Sequence, residues 1–103
     1  MTDAPLRRIA GDFEFRAATR GHKLEIVSAH FLDLDTGEDW YLTEGEFGPK
    51  PPFPTDESAV CIFFAADADL ACFAALDWEL PRNVICFRGE FRRMTASIEE
   101  PEL

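Results

Sequence analysis

The chain has 103 residues, of which 20 are acidic and 10 basic, giving a formal net charge of −10. This length corresponds to one domain, and 47% hydrophobic residues with ten Phe can form a packed core, which excludes a disordered acidic tail. Because the phosphate backbone repels such a charge, we expect no direct binding to nucleic acid.

The first predicted strand covers residues 9–15, where apolar and polar side chains alternate. Phe13 falls on the apolar side, and Asp12 and Glu14 fall together on the open side, about 7 Å apart along the strand. Carboxylates at this spacing suit the paired Mg²⁺ or Mn²⁺ ions that cleave phosphodiester bonds. Taken alone, the pattern is more typical of an ordinary solvated strand face.

Two further strands are predicted before the middle of the chain. A turn at Arg20 and Gly21 precedes a strand over residues 24–34, and residues 39–43 return as a third strand. Short connections of this kind join antiparallel neighbours, so the three strands are predicted to form an antiparallel meander.

The second half of the chain predicts a loop and a βαβ unit. Residues 44–58 are rich in Pro and Gly, which excludes regular structure there. The apolar run at residues 59–65 indicates a strand covered on both faces, followed by a helix that Asp67 or Asp69 caps. Residues 83–87 predict a last strand, parallel to the previous one with a right-handed crossover. The predicted fold class is therefore α/β (α+β), a single domain with a frayed tail at residues 98–103.

The negative charge is concentrated in the middle of the chain. Residues 31–80 contain twelve acidic residues and a single base, Lys50, whereas the segments on either side are nearly neutral. We expect one face or edge of the fold to carry a strong negative field, although solubility alone is the simpler explanation of such a charge.

Neither a targeting segment nor a metal motif is indicated. Residues 1–10 have no apolar core of signal-peptide length, and no apolar run approaches the roughly 20 residues of a membrane helix. Cys61, Cys72 and Cys86 lack CxxC spacing and lie among apolar residues, so they are predicted to be buried thiols. We therefore expect a cytoplasmic protein that has no contact with membranes.

Four stretches carry a resemblance to a known family: GDFEFR at 11–16, FAADADLACF at 64–73, LDWELPRNVI at 76–85 and EFR at 90–92. Over about residues 9–95 the chain resembles the front part of the 3′-to-5′ exonuclease domain of phage and plasmid DNA polymerases of the DEDD type. The resemblance implies a truncated ribonuclease-H-like fold. It also implies that Asp12 and Glu14 match the metal-binding acids of the first motif, and that Asp69 matches the acid of the second.

Two departures from the family predict an incomplete catalytic site. Cys86 occupies a position where such polymerases often have an Asp. The chain ends at Leu103, before the third motif with its water-orienting His or Tyr and its final metal-binding Asp. We therefore expect Asp12, Glu14 and Asp69 to be vestigial or partial metal ligands, with no catalysis and no required cofactor.

The preferred hypothesis is a protein that acts by binding. Size, charge and the resemblance favour a small acidic phage-type inhibitor of the anti-CRISPR class, in the host cytoplasm if phage-encoded. As a possible DNA mimic, it would bind a basic nucleic-acid-binding protein or complex. Eight acids are predicted to bind the partner: Asp33, Asp35, Glu38, Asp39, Glu44, Glu46, Asp56 and Glu57.

Two alternatives stay open. The first is a metal-dependent 3′-to-5′ exonuclease or nuclease subunit, with Mg²⁺ or Mn²⁺ held by the three candidate acids, completed by another chain or copy. The second is a polymerase fragment with no function of its own, for which self-association through an exposed sheet edge, as a homodimer, is expected.

Overall fold

A computed structural model of the protein describes residues 6–17 and 24–88, and these contain five strands, one complete helix and the first residues of another at 87–88. In chain order the elements are β1 (Arg7–Arg16), β2 (Glu25–Asp33), β3 (Asp39–Thr43), β4 (Ala59–Phe63), α1 (Ala66–Ala75) and β5 (Val84–Cys86). None of the helices in this part of the chain is long and apolar enough to cross a membrane.

The five strands form one mixed sheet in the order β3-β2-β1-β4-β5. β1 pairs antiparallel with β2, and β2 antiparallel with β3. On the other side of β1, β4 is parallel to β1 and β5 is parallel to β4. The antiparallel meander and the parallel last pair are therefore confirmed, and the chain is a mixed α+β domain.

Most predicted boundaries agree with the structure to within two residues. β3 spans the predicted residues, whereas β4 ends at Phe63 and β5 covers only the middle of its predicted range. Residues 44–58 contain no helix or strand, as predicted. The predicted turn at Arg20 and Gly21 and the predicted frayed tail lie outside the described residues.

One face of the sheet packs against α1, and the opposite face does not. On β1, Ile9 and Phe13 are buried, and they lie on the face against which α1 packs. Asp12 and Glu14 point from the opposite face, where both are exposed. We call these the core face and the open face. The alternation predicted for β1 is thereby confirmed.

Aromatic rings make up the centre of the core. Phe73 of α1 is fully buried, and its ring centroid lies 5.7 Å from that of Phe13 and 5.3 Å from that of Trp78. Phe13 and Phe31 meet at 5.4 Å in an edge-to-face arrangement. Such pairs contribute about 0.5–1.5 kcal/mol beyond the burial of their area, so they fix α1 against β1 and β2.

The proline-rich loop is folded onto this core. Phe53 is 5% exposed, and its ring centroid lies 4.7 Å from that of Phe31. The indole nitrogen of Trp78 donates a hydrogen bond of 2.8 Å to the carbonyl oxygen of Gly48. A segment without regular structure is thus held to the core by contacts that include a buried ring and a hydrogen bond.

The start of α1 differs from the prediction. The N-cap is Ala65, and no side chain caps the helix, so the predicted capping by Asp67 or Asp69 is wrong. Both aspartates instead lie in the first turn, where a negative charge is favoured by the helix dipole. Asp67 is exposed and forms an ion pair of 2.9 Å with Arg88, whereas Asp69 is buried.

The three cysteines have different environments. Cys61 and Cys72 are buried as predicted, and burial raises the pKa of each thiol to about 12. These two thiols therefore stay protonated and are poor nucleophiles. Cys86 is only half-buried, which corrects the prediction for that residue.

Candidate functional site

Asp69 reaches β1 beyond the end of β4. The pairing of β1 with β4 stops where Gly11 faces Phe63, so the last part of β1 has no β4 neighbour. The chain then enters α1, and the backbone of Phe13 donates a hydrogen bond to the Asp69 carboxylate. The carboxylate therefore occupies the place beside β1 that a longer β4 would fill, and Asp69 is only 6% exposed.

The position of Asp69 changes its acidity. Burial is the main cause that raises the pKa of this carboxyl group to about 6, and the negative charge of Asp12 raises it further. The hydrogen bond from Phe13 acts in the opposite direction, and the charge of Asp67 adds a smaller increase. The structure thus brings together Asp12 and Asp69, two of the three acids that the sequence predicted as metal ligands.

Glu14, the third predicted ligand, does not complete the site. It is exposed on the open face, two residues further along β1 than Asp12. Within residues 6–17 and 24–88, no group of three or more His, Cys, Asp or Glu side chains is arranged to hold a metal ion. The described side chains do not fit the two-ion centre of a DEDD exonuclease, and we derive no catalytic step through a metal.

Cys86 contacts the start of α1. Its sulfur accepts a hydrogen bond of 3.5 Å from the backbone N–H of Ala66 and donates one of 3.7 Å to the carbonyl oxygen of Phe64. A thiol at this position therefore joins the end of β5 to the first residues of the helix. Cys86 therefore has a structural contact between β5 and α1.

Asp33 has a different role from the one predicted. Its side chain is fully buried, and one carboxylate oxygen accepts hydrogen bonds of 3.0 and 2.9 Å from the guanidinium of Arg7. The other oxygen accepts bonds of 2.9 and 3.0 Å from the N–H groups of Asp35 and Thr36. The Asp33 carboxylate closes the β2–β3 turn, and all four of these hydrogen bonds come from groups of the fold itself. It therefore has no exposed surface to offer a partner.

The other seven predicted partner-binding acids are exposed. Five of them surround β3, which is the edge strand at one end of the described sheet. We call these five the acid rim: Asp35, Glu38, Asp39, Glu44 and Glu46. Asp56 and Glu57 lie apart from the rim, at the end of the proline-rich loop.

Three members of the acid rim are held by neighbours within the fold. Asp35 pairs with Arg8 at 2.7 Å, and Asp39 contacts His30 at 3.0 Å. Glu46 accepts bonds of 2.6 and 2.8 Å from the hydroxyl and the N–H of Thr43. The pKa of Asp35 is lowered mainly by the hydrogen bond from the Arg8 side chain. The pKa of Glu46 is lowered mainly by the hydrogen bond from the Thr43 hydroxyl. Both rim carboxylates are therefore ionised at neutral pH.

The sequence interpretation missed a row of side chains on the open face. His30 lies opposite Asp12 on β1 and opposite Tyr41 on β3. The rings of His30 and Tyr41 meet edge to face at 5.9 Å, and Tyr41 is 63% exposed. The signal that would have found this row is the register of the meander, which the length of the β2–β3 turn sets.

A shallow depression of about 260 Å³ lies next to this row. Its walls are formed by Ala10, Gly11, Asp12, His30 and Leu32. The small side chain of Ala10 leaves this space, and one carboxylate and one imidazole border it. The depression is therefore suited to receiving a single side chain of a partner molecule rather than a large ligand.

Comparison with known proteins gives no match to a family model, none to a curated protein and none to a solved structure.

Proposed function

We propose that the protein acts by binding a basic nucleic-acid-binding protein or complex, as an acidic inhibitor of the anti-CRISPR type, and not by catalysis. The acid rim is the observation that carries this proposal. Five exposed carboxylates surround one edge strand, and residues 31–49 contain neither Lys nor Arg. Arg8 neutralises only Asp35, and the remaining excess of negative charge at this edge attracts a basic groove and accelerates its association.

The dimensions of the rim support a mimic of a nucleic-acid backbone. β3 has five residues, so its two ends lie about 17 Å apart at the usual rise of a strand. Acids lie near both ends: Asp35, Glu38 and Asp39 before or at the start of β3, and Glu44 and Glu46 after it. This separation is about five base-pair steps of a DNA duplex, a span over which basic proteins bind several phosphates.

The finer fold assignment belongs to the same proposal. We infer a ribonuclease-H-like fold, in which the described acids do not form a complete exonuclease site. The inference is supported by the resemblance in the sequence and by the strand order, with an antiparallel β3-β2-β1 half and a parallel β1-β4-β5 half. A fold can host many functions, so the binding proposal depends on the acid rim.

A charge-reversal experiment tests the binding proposal. The probe is a CRISPR effector loaded with its guide, and the readout is the fluorescence polarisation of a labelled target duplex. The test variant carries Glu38→Lys and Glu44→Lys, since both side chains are exposed members of the rim. The control carries Glu57→Lys and Glu79→Lys, which change the net charge equally at exposed acids outside the five-residue rim.

We expect the wild type and the control to block DNA binding by the effector, and the rim variant to lose at least tenfold in potency. Circular dichroism shows that all three proteins are folded. A rim variant that blocks as well as the wild type contradicts the proposal, and so does a wild type that blocks none of a panel of effectors from several CRISPR types.

A second candidate function is a metal-dependent 3′-to-5′ exonuclease or nuclease subunit that another chain or copy completes. The observation that favours it is the coupling between Asp12 and Asp69, which raises the pKa of a buried carboxyl group. Calorimetric titration with Mn²⁺, beside an assay on 3′-labelled single-stranded DNA, tests it. Degradation that Asp12→Ala abolishes supports this candidate, whereas no binding and no degradation contradict it.

A further inference from the structure

The open face of the sheet carries an apolar row that crosses from edge to edge. Register pairs align one residue from each strand: Asp39, Leu32, Ala10, Ile62 and Ile85. Leu32 is 37% exposed and Ile85 is 40% exposed. Four of the five side chains in this row are apolar: Leu32 and Ile85 are exposed, and Ala10 and Ile62 between them are half-buried. The row is therefore a hydrophobic surface that is partly in contact with water.

This exposure is unusual for the parallel half of the sheet. Parallel strands occur almost entirely in sheets whose two faces are both covered. α1 packs on the core face through its buried Phe73, and further helical residues begin at Phe87, directly after β5. Exposed apolar surface bordered by polar groups is typical of an interaction site. The open face therefore keeps exposed apolar side chains, Leu32 and Ile85, that a bound partner can cover.

The charged side chains beside the apolar row determine which kind of partner segment can bind there. Asp12 and Glu14 of β1 and Asp39 of β3 are exposed on this face. The two bases that β1 places there are already paired, Arg8 with Asp35 at 2.7 Å and Arg16 with Glu25 at 2.9 Å. The face therefore keeps an excess of negative charge and attracts a cationic segment.

Tyr41 adds a specific contact for a cation. Its ring is 63% exposed, and it lies in the row of His30 and Asp12. A guanidinium or ammonium group over the face of an exposed aromatic ring is attracted by the negative charge of that face. A carboxylate within the same row strengthens the attraction. Tyrosine is also among the residues most often found at the energetic centre of an interface.

We propose that the open face is the docking surface for the partner, and that the partner segment seated there carries Arg or Lys beside apolar side chains. This inference rests on the proposed binding function and adds the chemistry of the recognised segment. The apolar row buries the partner's apolar side chains, and the Tyr41, His30 and Asp12 row receives a basic one.

A second copy of this chain is a poorer occupant. Each chain carries a net charge of −10. Face-to-face association would place Asp12, Glu14 and Asp39 of one copy near the same acids of the other. Like charges at such an interface cost free energy, whereas a basic segment neutralises them.

The test is an NMR titration of the isotope-labelled full chain with synthetic peptides. The first probe is a short peptide of alternating Arg and Leu, and the second replaces each Arg by Glu. We expect the first probe to shift the amide signals of the open-face residues Ala10, Asp12, His30, Leu32, Tyr41 and Ile85. The second is expected to leave them unchanged. Shifts from the basic probe that are confined to the core-face side or to the loop at residues 44–58 overturn the proposal.

Matched variants locate the site independently. Tyr41→Ser and Leu32→Ser are expected to weaken binding of the basic probe about tenfold or more. Leu80→Ser is the control, since Leu80 is 51% exposed outside the sheet. Tyr41 is exposed enough that its substitution leaves the fold intact. Equal affinities for the Tyr41→Ser and Leu80→Ser proteins contradict the proposal.

Two other occupants of the open face, a second copy of the chain and the chain's own residues 89–103, would give different results. Light scattering that shows a dimer, together with intermolecular contacts at the open face, overturns the proposal in favour of a second copy. Nuclear Overhauser contacts in the free protein between Tyr41 or Ile85 and residues 89–103 overturn it in favour of the chain itself. If the rim variant loses effector inhibition while Tyr41→Ser retains it, the docking surface is wrong and the proposed function stands.

Discussion

Arg7 at the start of β1 holds the buried carboxylate of Asp33 at the end of β2. The guanidinium donates two hydrogen bonds of 3.0 and 2.9 Å to one carboxylate oxygen. Asp33 is fully buried, whereas 41% of the Arg7 side chain remains exposed. The pair therefore links the beginning of the first strand to the turn that leads into β3, and the acid rim is built on this turn.

Replacing Asp33 by Ala is expected to be among the most destabilising changes in the chain. It leaves the N–H groups of Asp35 and Thr36 and the guanidinium of Arg7 without their acceptor. Asp35→Ala, which removes an exposed ion pair with Arg8, is expected to cost much less. Urea unfolding of the two variants measures the difference, and equal midpoints contradict this role of Asp33.

The stability from Asp33 is expected to depend on pH. Burial by itself raises the pKa of Asp33, but the hydrogen bonds from Asp35, Thr36 and Arg7 outweigh burial and lower it below its ordinary value. A carboxyl group whose folded pKa is lowered stabilises the protein fully above its unfolded pKa. It loses this contribution as the pH falls through the folded value. The stability difference between the wild type and Asp33→Asn should therefore shrink as the pH falls below the ordinary pKa of an Asp carboxyl group.

Gly11→Ala is expected to destabilise the protein by about 1–3 kcal/mol, because the core has no room for another carbon. A Cβ at this position would lie 2.7 Å from a ring carbon of Phe31 and 2.8 Å from one of Phe63. Gly48→Ala is the control, since the nearest atom there is the carbonyl oxygen of Lys50 at 3.8 Å. Thermal unfolding compares the two variants. A Gly11→Ala protein as stable as the control shows that the rings move aside freely.

Trp78→Phe is expected to loosen the proline-rich loop. The change keeps an aromatic ring in the core but removes the hydrogen bond to the carbonyl oxygen of Gly48, at a cost of about 0.5–1.5 kcal/mol. Faster amide hydrogen exchange at residues 44–48 is the expected readout. Trp40→Phe is the matched control, because Trp40 contacts Phe53 at 6.0 Å through its ring alone. Equal exchange in both variants contradicts the anchoring role.

Local patterns predicted the strands of this fold, because alternation and turn residues are properties of short segments. The spacing of Ile9, Phe13 and the acids between them indicates β1 from the sequence alone. The parallel pairing of β4 with β5 follows from the helix between them. Neither inference needs a contact between distant residues, and both are confirmed.

Long-range contacts explain what the sequence could not predict. In the sequence, Asp33 is indistinguishable from the surface acids of its negative segment. Its burial follows from its pairing with Arg7, which lies 26 positions away. The open-face row of His30 and Tyr41 likewise depends on strand register. The coupling of Asp12 to Asp69 was expected from the family resemblance, whereas the hydrogen bond from Phe13 depends on where β4 ends.

Asp69 is expected to oppose folding at neutral pH. Burial and the charge of Asp12 raise its pKa from 3.8 to about 6 in the folded protein. The folded state therefore binds this proton more tightly than the unfolded state does. The contribution to stability is most favourable below about pH 4 and falls as the pH rises to about 6. A shift of this size corresponds to a cost on the order of 3 kcal/mol at neutral pH.

Asp69→Asn tests this relationship, because an amide oxygen can still accept the hydrogen bond from Phe13 but carries no charge. The variant should match the wild type near pH 4 and exceed its free energy of unfolding at neutral pH, by up to about 3 kcal/mol. Asp67→Asn, which changes an exposed carboxylate on the same helical turn, is the control and should show little gain. Urea unfolding of the wild type and the two variants, from about pH 4 to neutral pH, gives the free energy of unfolding of each protein as a function of pH. A neutral-pH stability of Asp69→Asn no higher than that of the wild type contradicts the raised pKa.

If Mn²⁺ then stabilises the wild type and leaves Asp69→Asn unchanged, the carboxylate pair binds a cation, and the metal-dependent alternative gains support.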